Sequence, residues 1–217
     1  MMNPLRSRMW QIVISATLAM SVPVWAATDS PLSVIRATIE QSRRVMENPI
    51  YQGTDKRHLR LEKLKEVVLP QFDSQEVARR TLGIYWRQLS HPQREEFIRL
   101  FTSLVEKTYA SNLDRYTKNV QFFYDDERID GTFSEVATRI FDPGHSKTFS
   151  LNYRLHKVEG RWLVYDVVIE NISLVQNYRN QFNRILSKSS YEDLVKRIQS
   201  KLQELDAETA PSIERQG

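Results

Sequence analysis

Alternating apolar and polar residues mark the most regular part of the chain. From Lys147 to Leu155 every second side chain is apolar, and a Glu159-Gly160 turn leads to a second run, residues 162–169, that is apolar on both sides. From Ile172 to Leu186 the apolar spacing lengthens to three or four residues. A period of two is typical of strands and a period of 3.6 of helices, so this stretch predicts a β-hairpin that leads into a helix.

Helices are predicted on both sides of this stretch, wherever apolar residues recur at three- and four-residue steps. The predicted N-caps are Ser30, Asp73, Ser90 and Ser190. The first helix would end at Asn48-Pro49, and another is predicted from Thr54 to Val68. The helix that follows Ser90 has the widest apolar stripe, which either packs against a sheet or lines a cavity.

Two further strands are predicted between the long helix and the hairpin. Val120 to Tyr124 is rich in β-forming residues, Asp125 to Gly131 is predicted as an acidic turn, and Phe133 to Phe141 as the next strand. Together with the hairpin this gives about four strands joined by short turns, which form an antiparallel meander. The order of helices, sheet and helices predicts an α+β domain in which helices wrap a twisted antiparallel sheet.

The first 26 residues have the pattern of a secretory signal peptide. Two arginines precede an apolar run from Ile12 to Met20, and Val24-Trp25-Ala26 offers small residues ahead of a cut before Ala27. We therefore expect an exported protein, cleaved near Ala26-Ala27, with a single domain over residues 27–206. Residues 207–217 are polar and are predicted to form a disordered tail.

Composition favours a fold that is held together by an apolar core, and it does not indicate a nucleic-acid partner. The 217 residues include 31 basic and 27 acidic side chains, a net charge of +4, and no cysteine. Without cysteine no disulfide can form, so stability must come from the burial of apolar side chains. A net charge this small provides no electrostatic footprint for nucleic acid.

The sequence contains no arrangement typical of catalysis or metal binding. It has no His-Glu-x-x-His pair, no Gly-x-Ser-x-Gly elbow, no glycine-rich phosphate loop and no cysteine nucleophile. The four histidines are interpreted as unrelated surface residues, and the acidic run 125–130 as a solvated turn rather than a calcium loop. Neither a metal nor a cofactor is predicted.

Asp166 is the one carboxylate inside the apolar run 162–169, and two interpretations of it are possible. It could be a general base with a perturbed pKa, in an enzyme that uses Asp166 or Asp73 on an apolar substrate. It could instead be a structural residue whose carboxylate accepts hydrogen bonds from a hydroxyl or a backbone N–H, which we favour. A third class of function is an interaction module that holds no ligand.

Three segments, taken together, resemble the MlaC family, also known as the auxiliary component of a toluene-tolerance ABC transport system. The first two are Phe72-Asp73 with Ala78–Trp86, and Ser90–Phe101, followed by Tyr109 where the family has an aromatic residue. The third and most specific segment is Trp162–Phe182. The resemblance extends over essentially the whole chain after the signal peptide.

The resemblance implies a periplasmic phospholipid carrier without enzymatic activity. Members of this family hold the acyl chains of a diacyl phospholipid in an apolar pocket between sheet and helices, in a fold similar to the nuclear-transport-factor arrangement. They exchange lipid with an inner-membrane ABC transporter complex, through its substrate-binding-domain subunit, and with an outer-membrane lipoprotein complex. This exchange maintains outer-membrane lipid asymmetry and supports tolerance of organic solvents.

Twelve residues are predicted to line that pocket. Tyr109 and Ile172 match family positions near the pocket, and the other ten are chosen from their apolar periodicity alone. The predicted lining residues are Tyr85, Phe97, Phe101, Leu104, Tyr109, Phe149, Leu151, Tyr153, Val167, Ile169, Ile172 and Leu174.

Overall fold

A computed structural model describes residues 30–116 and 120–209, which form six α-helices and five β-strands. The helices are α1 (Pro31–Glu47), α2 (Arg57–Val68), α3 (Ser74–Leu82), α4 (His91–Tyr116), α5 (Leu174–Leu186) and α6 (Tyr191–Thr209). The strands are β1 (Gln121–Asp130), β2 (Phe133–Asp142), β3 (Lys147–Val158), β4 (Arg161–Ile169) and β5 (Ile172–Ser173). Short 3₁₀ segments occupy Pro49–Tyr51, Leu69–Gln71 and Gly83–Gln88. The predicted signal peptide and the residues beyond Thr209 lie outside the described part of the chain.

Hydrogen bonds at the helix N-termini confirm the N-caps predicted from the sequence. Ser30 Oγ accepts from the backbone N–H of Ser33 at 3.1 Å to cap α1. At the start of α6, Ser190 N–H donates to Asp193 Oδ2 and Asp193 N–H donates to Ser190 Oγ, both at 3.2 Å. Each bond satisfies a backbone donor that has no partner inside the helix, and so fixes where the helix begins. The other predicted caps, each with a hydrogen bond to its own first turn, are Asp73 and Ser90.

The five strands form one sheet in the order β1-β2-β3-β4-β5, with every neighbouring pair antiparallel. The predicted α+β class and meander are therefore confirmed, with one strand more than the four expected. Glu159 and Gly160, between β3 and β4, both have positive φ, 49° and 84°. Two such residues make the tight turn whose twist matches that of the flanking strands, which explains the hairpin signal in the sequence.

Several element boundaries differ from the prediction. The predicted acidic turn is wrong, because β1 continues through residues 125–130 and pairs with β2 along that length. An edge strand presents one side to solvent, so it accommodates charged side chains. Ile172 and Ser173 form the short strand β5 and precede α5 instead of belonging to it. Helix α2 begins at Arg57 rather than Thr54, and α6 continues to Thr209, three residues beyond Asp206.

The described residues form two apolar cores. One is built from helices and the segment that joins α3 to α4, and is centred on Phe97, Phe101 and Phe182. The other lies between α1 and the sheet, where Ile35 and Ile39 pack against strand residues. Within residues 30–116 and 120–209, no helix is both long and apolar enough to cross a bilayer.

Candidate functional site

One face of the sheet gathers five of the twelve predicted lining residues. The register places Tyr153 of β3 opposite Val167 of β4, and Leu151 opposite Ile169. Phe149 lies two residues from Leu151, and side chains two apart or directly opposite point to the same side of a sheet. The residues that share this face are Phe149, Leu151, Tyr153, Val167 and Ile169.

Part of this face is closed by α1. Ile35 and Ile39 of the helix pack against Val136, Leu155 and Trp162, and all five side chains are buried. The part of the face under α1 is an ordinary core, because the apolar stripe of α1 and the apolar side of the strands shield each other from water.

The same face becomes more open toward the β4–β5 turn. Phe149, Leu151 and Val167 are only half-buried, Ile169 is 37% exposed, and Ile172 at the sheet edge is 64% exposed. A contiguous apolar surface that stays in contact with water is unfavourable by roughly 25 cal/mol per Å². Surfaces of this kind in proteins mark places where a ligand or a partner binds.

Two tyrosine hydroxyls add a small polar element to the face. The Tyr124 hydroxyl is buried and has no hydrogen-bond partner among the described residues. Burial raises the pKa of Tyr124 and that of Tyr153 above the ordinary tyrosine value. Both side chains are therefore uncharged at neutral pH, and the face contributes a neutral donor next to apolar groups.

The long helix α4 carries a second group of predicted residues, which lies in the helical core instead. The Phe97 and Phe101 rings stack at a centroid separation of 5.6 Å, and Phe101 meets Tyr178 of α5 edge-on at 4.9 Å. Leu104 is buried in the same cluster. The predicted residues that belong to this core or pack on it are Phe97, Phe101, Leu104, Tyr109 and Leu174. The α4 stripe was expected either to pack against the sheet or to line a cavity. Its described part packs against other helices, so the expected packing against the sheet is wrong.

Tyr85 belongs to neither group. It borders a cavity of about 150 Å³ whose wall also includes Leu82, Leu186 and Tyr191. The twelve predicted residues are thus distributed over the open sheet face, the helical core, this small cavity and the exposed edge at Ile172.

Asp166 has the surroundings of a structural residue. Its carboxylate accepts hydrogen bonds from the Ser173 hydroxyl at 2.6 Å, the Val175 backbone N–H at 3.0 Å and the Arg154 guanidinium at 3.2 Å. These donors hold β5 and the first turn of α5 against β4. The prediction that a hydroxyl and a backbone donor satisfy Asp166 is confirmed. A carboxylate whose oxygens are already engaged in this way is poorly placed to accept a proton from a substrate.

Asp73, the other candidate base, is paired with His156. Its Oδ2 lies 3.0 Å from His156 Nε2, while its Oδ1 caps α3 through Glu76 N–H at 2.9 Å. The Asp73 N–H also donates to the Val164 carbonyl at 3.0 Å. The interpretation of His156 as an unrelated surface residue is wrong, because its ring is half-buried and joins the start of α3 to β3.

Three residues on the same side of the sheet were not among the predicted lining residues. Val136, Thr138 and Ile140 of β2 lie opposite Tyr153, Leu151 and Phe149 and so share their side of the sheet. They are spaced two residues apart in the sequence, which already indicates that they share one side of β2. The Thr138 hydroxyl donates to the Leu151 carbonyl, so this polar side chain is satisfied within the sheet.

The fold and the site together define an α+β domain with a partly open apolar sheet face. Its two candidate general bases are both committed to structural hydrogen bonds. Among the described residues, no group of three or more histidine, aspartate or glutamate side chains is close enough to hold a metal ion.

Comparison with known sequences identifies the family. The family model described as MlaC protein matches residues 36–200, well over half of the chain, so this chain belongs to the MlaC family. It is 27% identical over 135 residues to the intermembrane phospholipid transport system binding protein MlaC of Haemophilus influenzae. That alignment covers 61% of this chain and 63% of the relative, just under two thirds of the relative's length.

Comparison with solved structures confirms the fold. The phospholipid-binding protein from Ralstonia solanacearum, solved in complex with a phospholipid, superposes with a TM-score of 0.70 at 24% sequence identity. The superposition covers 80% of this chain and 97% of that protein. The resemblance to the MlaC family seen in the sequence is therefore confirmed for family and for fold.

Proposed function

We propose that this protein is a periplasmic phospholipid carrier that catalyses no reaction. The relative from Haemophilus influenzae is named for intermembrane phospholipid transport, and the Ralstonia solanacearum structure contains a phospholipid. The observation that carries the proposal is the apolar sheet face that α1 covers only in part. Its residues offer acyl chains a surface without charge and without a reactive group.

The size of the hydrophobic effect explains why a carrier needs such a surface. Each methylene moved from lipid into water costs about 0.8 kcal/mol, so two chains of about fifteen methylenes would cost on the order of 24 kcal/mol. The carrier must offset most of this by surrounding the chains with apolar side chains. In this proposal Phe149, Leu151, Tyr153, Val167 and Ile169 contact the chains, and Ile172 lies at the rim.

The remaining predicted residues have a supporting role in this proposal. Phe97, Phe101, Leu104, Tyr109 and Leu174 stiffen the helices that adjoin the sheet, and Tyr85 remains a predicted lining residue. Widening of the space between helices and sheet would bring these side chains closer to a bound chain. Such a change can be driven only by a ligand or partner that binds the open form more tightly than the closed form.

The carrier is proposed to shuttle lipid between two membranes. One partner is an inner-membrane ABC transporter complex with its substrate-binding-domain subunit, and the other is an outer-membrane lipoprotein complex. The exchange would maintain the lipid asymmetry of the outer membrane and tolerance of organic solvents. A signal peptide over residues 1–26 and a single lipid-binding domain over residues 27–206 are part of the proposal.

Native mass spectrometry of the protein purified from cells tests lipid binding directly. We expect a mass increment equal to a phospholipid, and we expect Leu151→Trp to reduce its occupancy because the larger side chain fills space on the sheet face. Ile50→Trp is the matched control, since Ile50 is 63% exposed and lies outside the face. Circular dichroism confirms that both variants are folded.

Three results would contradict the proposal. Protein that never carries lipid would favour the interaction module, and equal occupancy in the two folded tryptophan variants would exclude the sheet face as the site. Turnover of an apolar substrate that is lost in Asp166→Asn would favour an enzyme.

A further inference from the structure

Basic side chains cluster along α5, the turn after it and the middle of α6. Residues 176–201 contain six basic and two acidic side chains, a net charge of +4 that equals the net charge of all 217 residues. The rest of the chain is neutral overall. The end of α6 is acidic, with Glu204, Asp206 and Glu208, so the excess of positive charge lies on α5, the turn after it and the middle of α6.

Part of this charge lines a groove. Arg184 and Ile185 follow Gln181 by three and four residues at the end of α5, which places these side chains on one side of the helix. Lys188 lies in the turn after α5, and Arg197 of α6 completes the wall. The groove has a volume of about 430 Å³. Its remaining lining residue is Ser189, so no acidic side chain contributes to it.

The three cations of the groove are not neutralised within the described residues. Arg184, Lys188 and Arg197 are exposed, and none of them forms an ion pair with a side chain in residues 30–116 or 120–209. Many basic side chains elsewhere are paired, for example Lys107 with Asp206 and Arg139 with Asp125. Three like charges around one concave surface repel one another, and an anionic ligand relieves that repulsion.

We propose that this groove is a docking site for an acidic peptide segment of a partner protein. Its concave shape and uniformly positive wall suit a chain segment that carries carboxylates, and the Gln181 amide offers a donor and an acceptor for peptide groups. Membrane-surface sites instead insert large apolar or aromatic side chains. The single apolar residue of the groove, Ile185, is half-buried, and none of the exposed large apolar residues lines it.

This inference deepens the proposed function, since a carrier must be met by the complexes that load and unload it. It places the meeting point on α5 and α6, whereas the lipid site is assigned to the sheet face. The two sites are separate, so a variant that alters one can be examined for its effect on the other.

Two neighbouring residues of α6 provide a matched test. Arg197→Glu reverses a charge inside the groove, and Lys196→Glu reverses an exposed charge on the same helix that does not line it. The probe is a fluorescein-labelled Glu-Ala repeat peptide, with a Gln-Ala repeat peptide as the neutral comparison, measured by fluorescence anisotropy at low salt. We expect the wild type to bind the acidic peptide and Arg197→Glu to weaken binding by about tenfold or more. Lys196→Glu should weaken binding far less.

Equal weakening by the two variants would overturn the proposal, because it would mean that the peptide responds only to net charge. No binding of the acidic peptide, with Arg197→Glu abolishing attachment to phosphatidylglycerol vesicles, would assign the groove to a membrane instead and would also overturn it. Native mass spectrometry of the same variants keeps the two hypotheses apart. An Arg197→Glu variant that retains phospholipid but has lost peptide binding supports the docking site. Wild-type protein without lipid would refute only the proposal that the protein is a lipid carrier.

Discussion

Asp166→Ala removes the acceptor for three hydrogen bonds, and the loss of stability can be worked out bond by bond. The Val175 N–H is buried and would lose its partner, which costs about 1–3 kcal/mol. The Ser173 hydroxyl is half-buried, and its bond to a charged group contributes about 1.5–3 kcal/mol. The Arg154 side chain is 40% exposed and is also paired with Glu135, so its loss adds less than about 1 kcal/mol.

The three contributions add to about 2.5–7 kcal/mol. Breaking a buried charged interaction usually costs about 3–5 kcal/mol, which lies inside that range, so we expect a loss of about 3–5 kcal/mol. It is a large share of the roughly 5–15 kcal/mol by which domains are stable. Asp166→Asn keeps the shape and one acceptor oxygen, so we expect a smaller loss of about 1–2 kcal/mol.

Urea unfolding followed by circular dichroism measures these differences. With a slope of about 2 kcal/mol per molar urea, Asp166→Ala should lower the unfolding midpoint by about 1.5–2.5 M at an unchanged slope. Asp130→Ala is the control, because Asp130 is exposed on β1, and it should stay within about 0.5 kcal/mol of the wild type. If Asp166→Ala unfolds within about 1 kcal/mol of the wild type, Asp166 does not hold α5 in place. The folded Asp166→Asn variant should still carry phospholipid.

Three further substitutions test the core, a helix cap and the response to acid. Phe101→Ala should cost about 3–5 kcal/mol in urea unfolding because its ring contacts three other aromatic rings; a loss below about 1 kcal/mol would contradict the described packing. Ser190→Ala should cost about 1 kcal/mol through the α6 capping box, and Ser190→Asp, which can still cap, should recover most of it. Hydrogen bonds from Arg79, and to a smaller extent from Arg80, hold the pKa of the Glu76 carboxyl below its ordinary 4.5. The contribution of Glu76 to the free energy of unfolding is therefore complete above about pH 4.5 and is lost as the pH falls through the lowered pKa. The difference in unfolding free energy between wild type and Glu76→Gln should therefore shrink on acidification below about pH 4.5, and a constant difference down to pH 2 would show that the Glu76 pKa is not lowered.

The features that were predicted correctly depend on short-range rules. The caps at Ser30, Asp73 and Ser190 follow from side-chain oxygens that reach backbone donors a few residues away. The β3–β4 hairpin follows from alternation on both sides of Glu159-Gly160, a pair that adopts the positive φ its turn needs. Neither depends on distant parts of the chain, so the sequence contains the whole signal.

The prediction of a turn at residues 125–130, where β1 in fact continues, failed for a local physical reason. The register of β1 against β2 shifts between Tyr124 and Asp126, which is a β-bulge that adds one residue to β1. The apolar residue before the bulge, Tyr124, has an even number and the one after it, Ile129, an odd number. A strict alternation with a period of two is therefore interrupted at the bulge. The charged residues that follow then suggest a turn. A two-residue strand such as β5 is likewise too short to show any period.

The candidate site could be predicted only in part, because periodicity identifies the apolar side of each element but not which sides meet. It grouped Phe149, Leu151 and Tyr153 correctly along β3. It could not separate Phe101, which faces other helices, from the sheet-facing residues, since both belong to regular apolar stripes. That distinction is set by the arrangement of whole elements in space.

The sequential order of the sheet has a consequence for how the chain folds. Each strand pairs with its neighbour in sequence, so the sheet needs only short loops to close and can form early. The contacts of the helices join residues much farther apart in the sequence. The Leu32 N–H donates a hydrogen bond to the Glu127 carboxylate, 95 residues away, and the Tyr191 hydroxyl donates one to the Gln93 carbonyl, 98 residues away. During synthesis α1 therefore leaves the ribosome well before the strands that cover its apolar side. A chain that stops before β4 would leave that side exposed to aggregation, so we expect C-terminal truncations to be far less soluble than full-length protein.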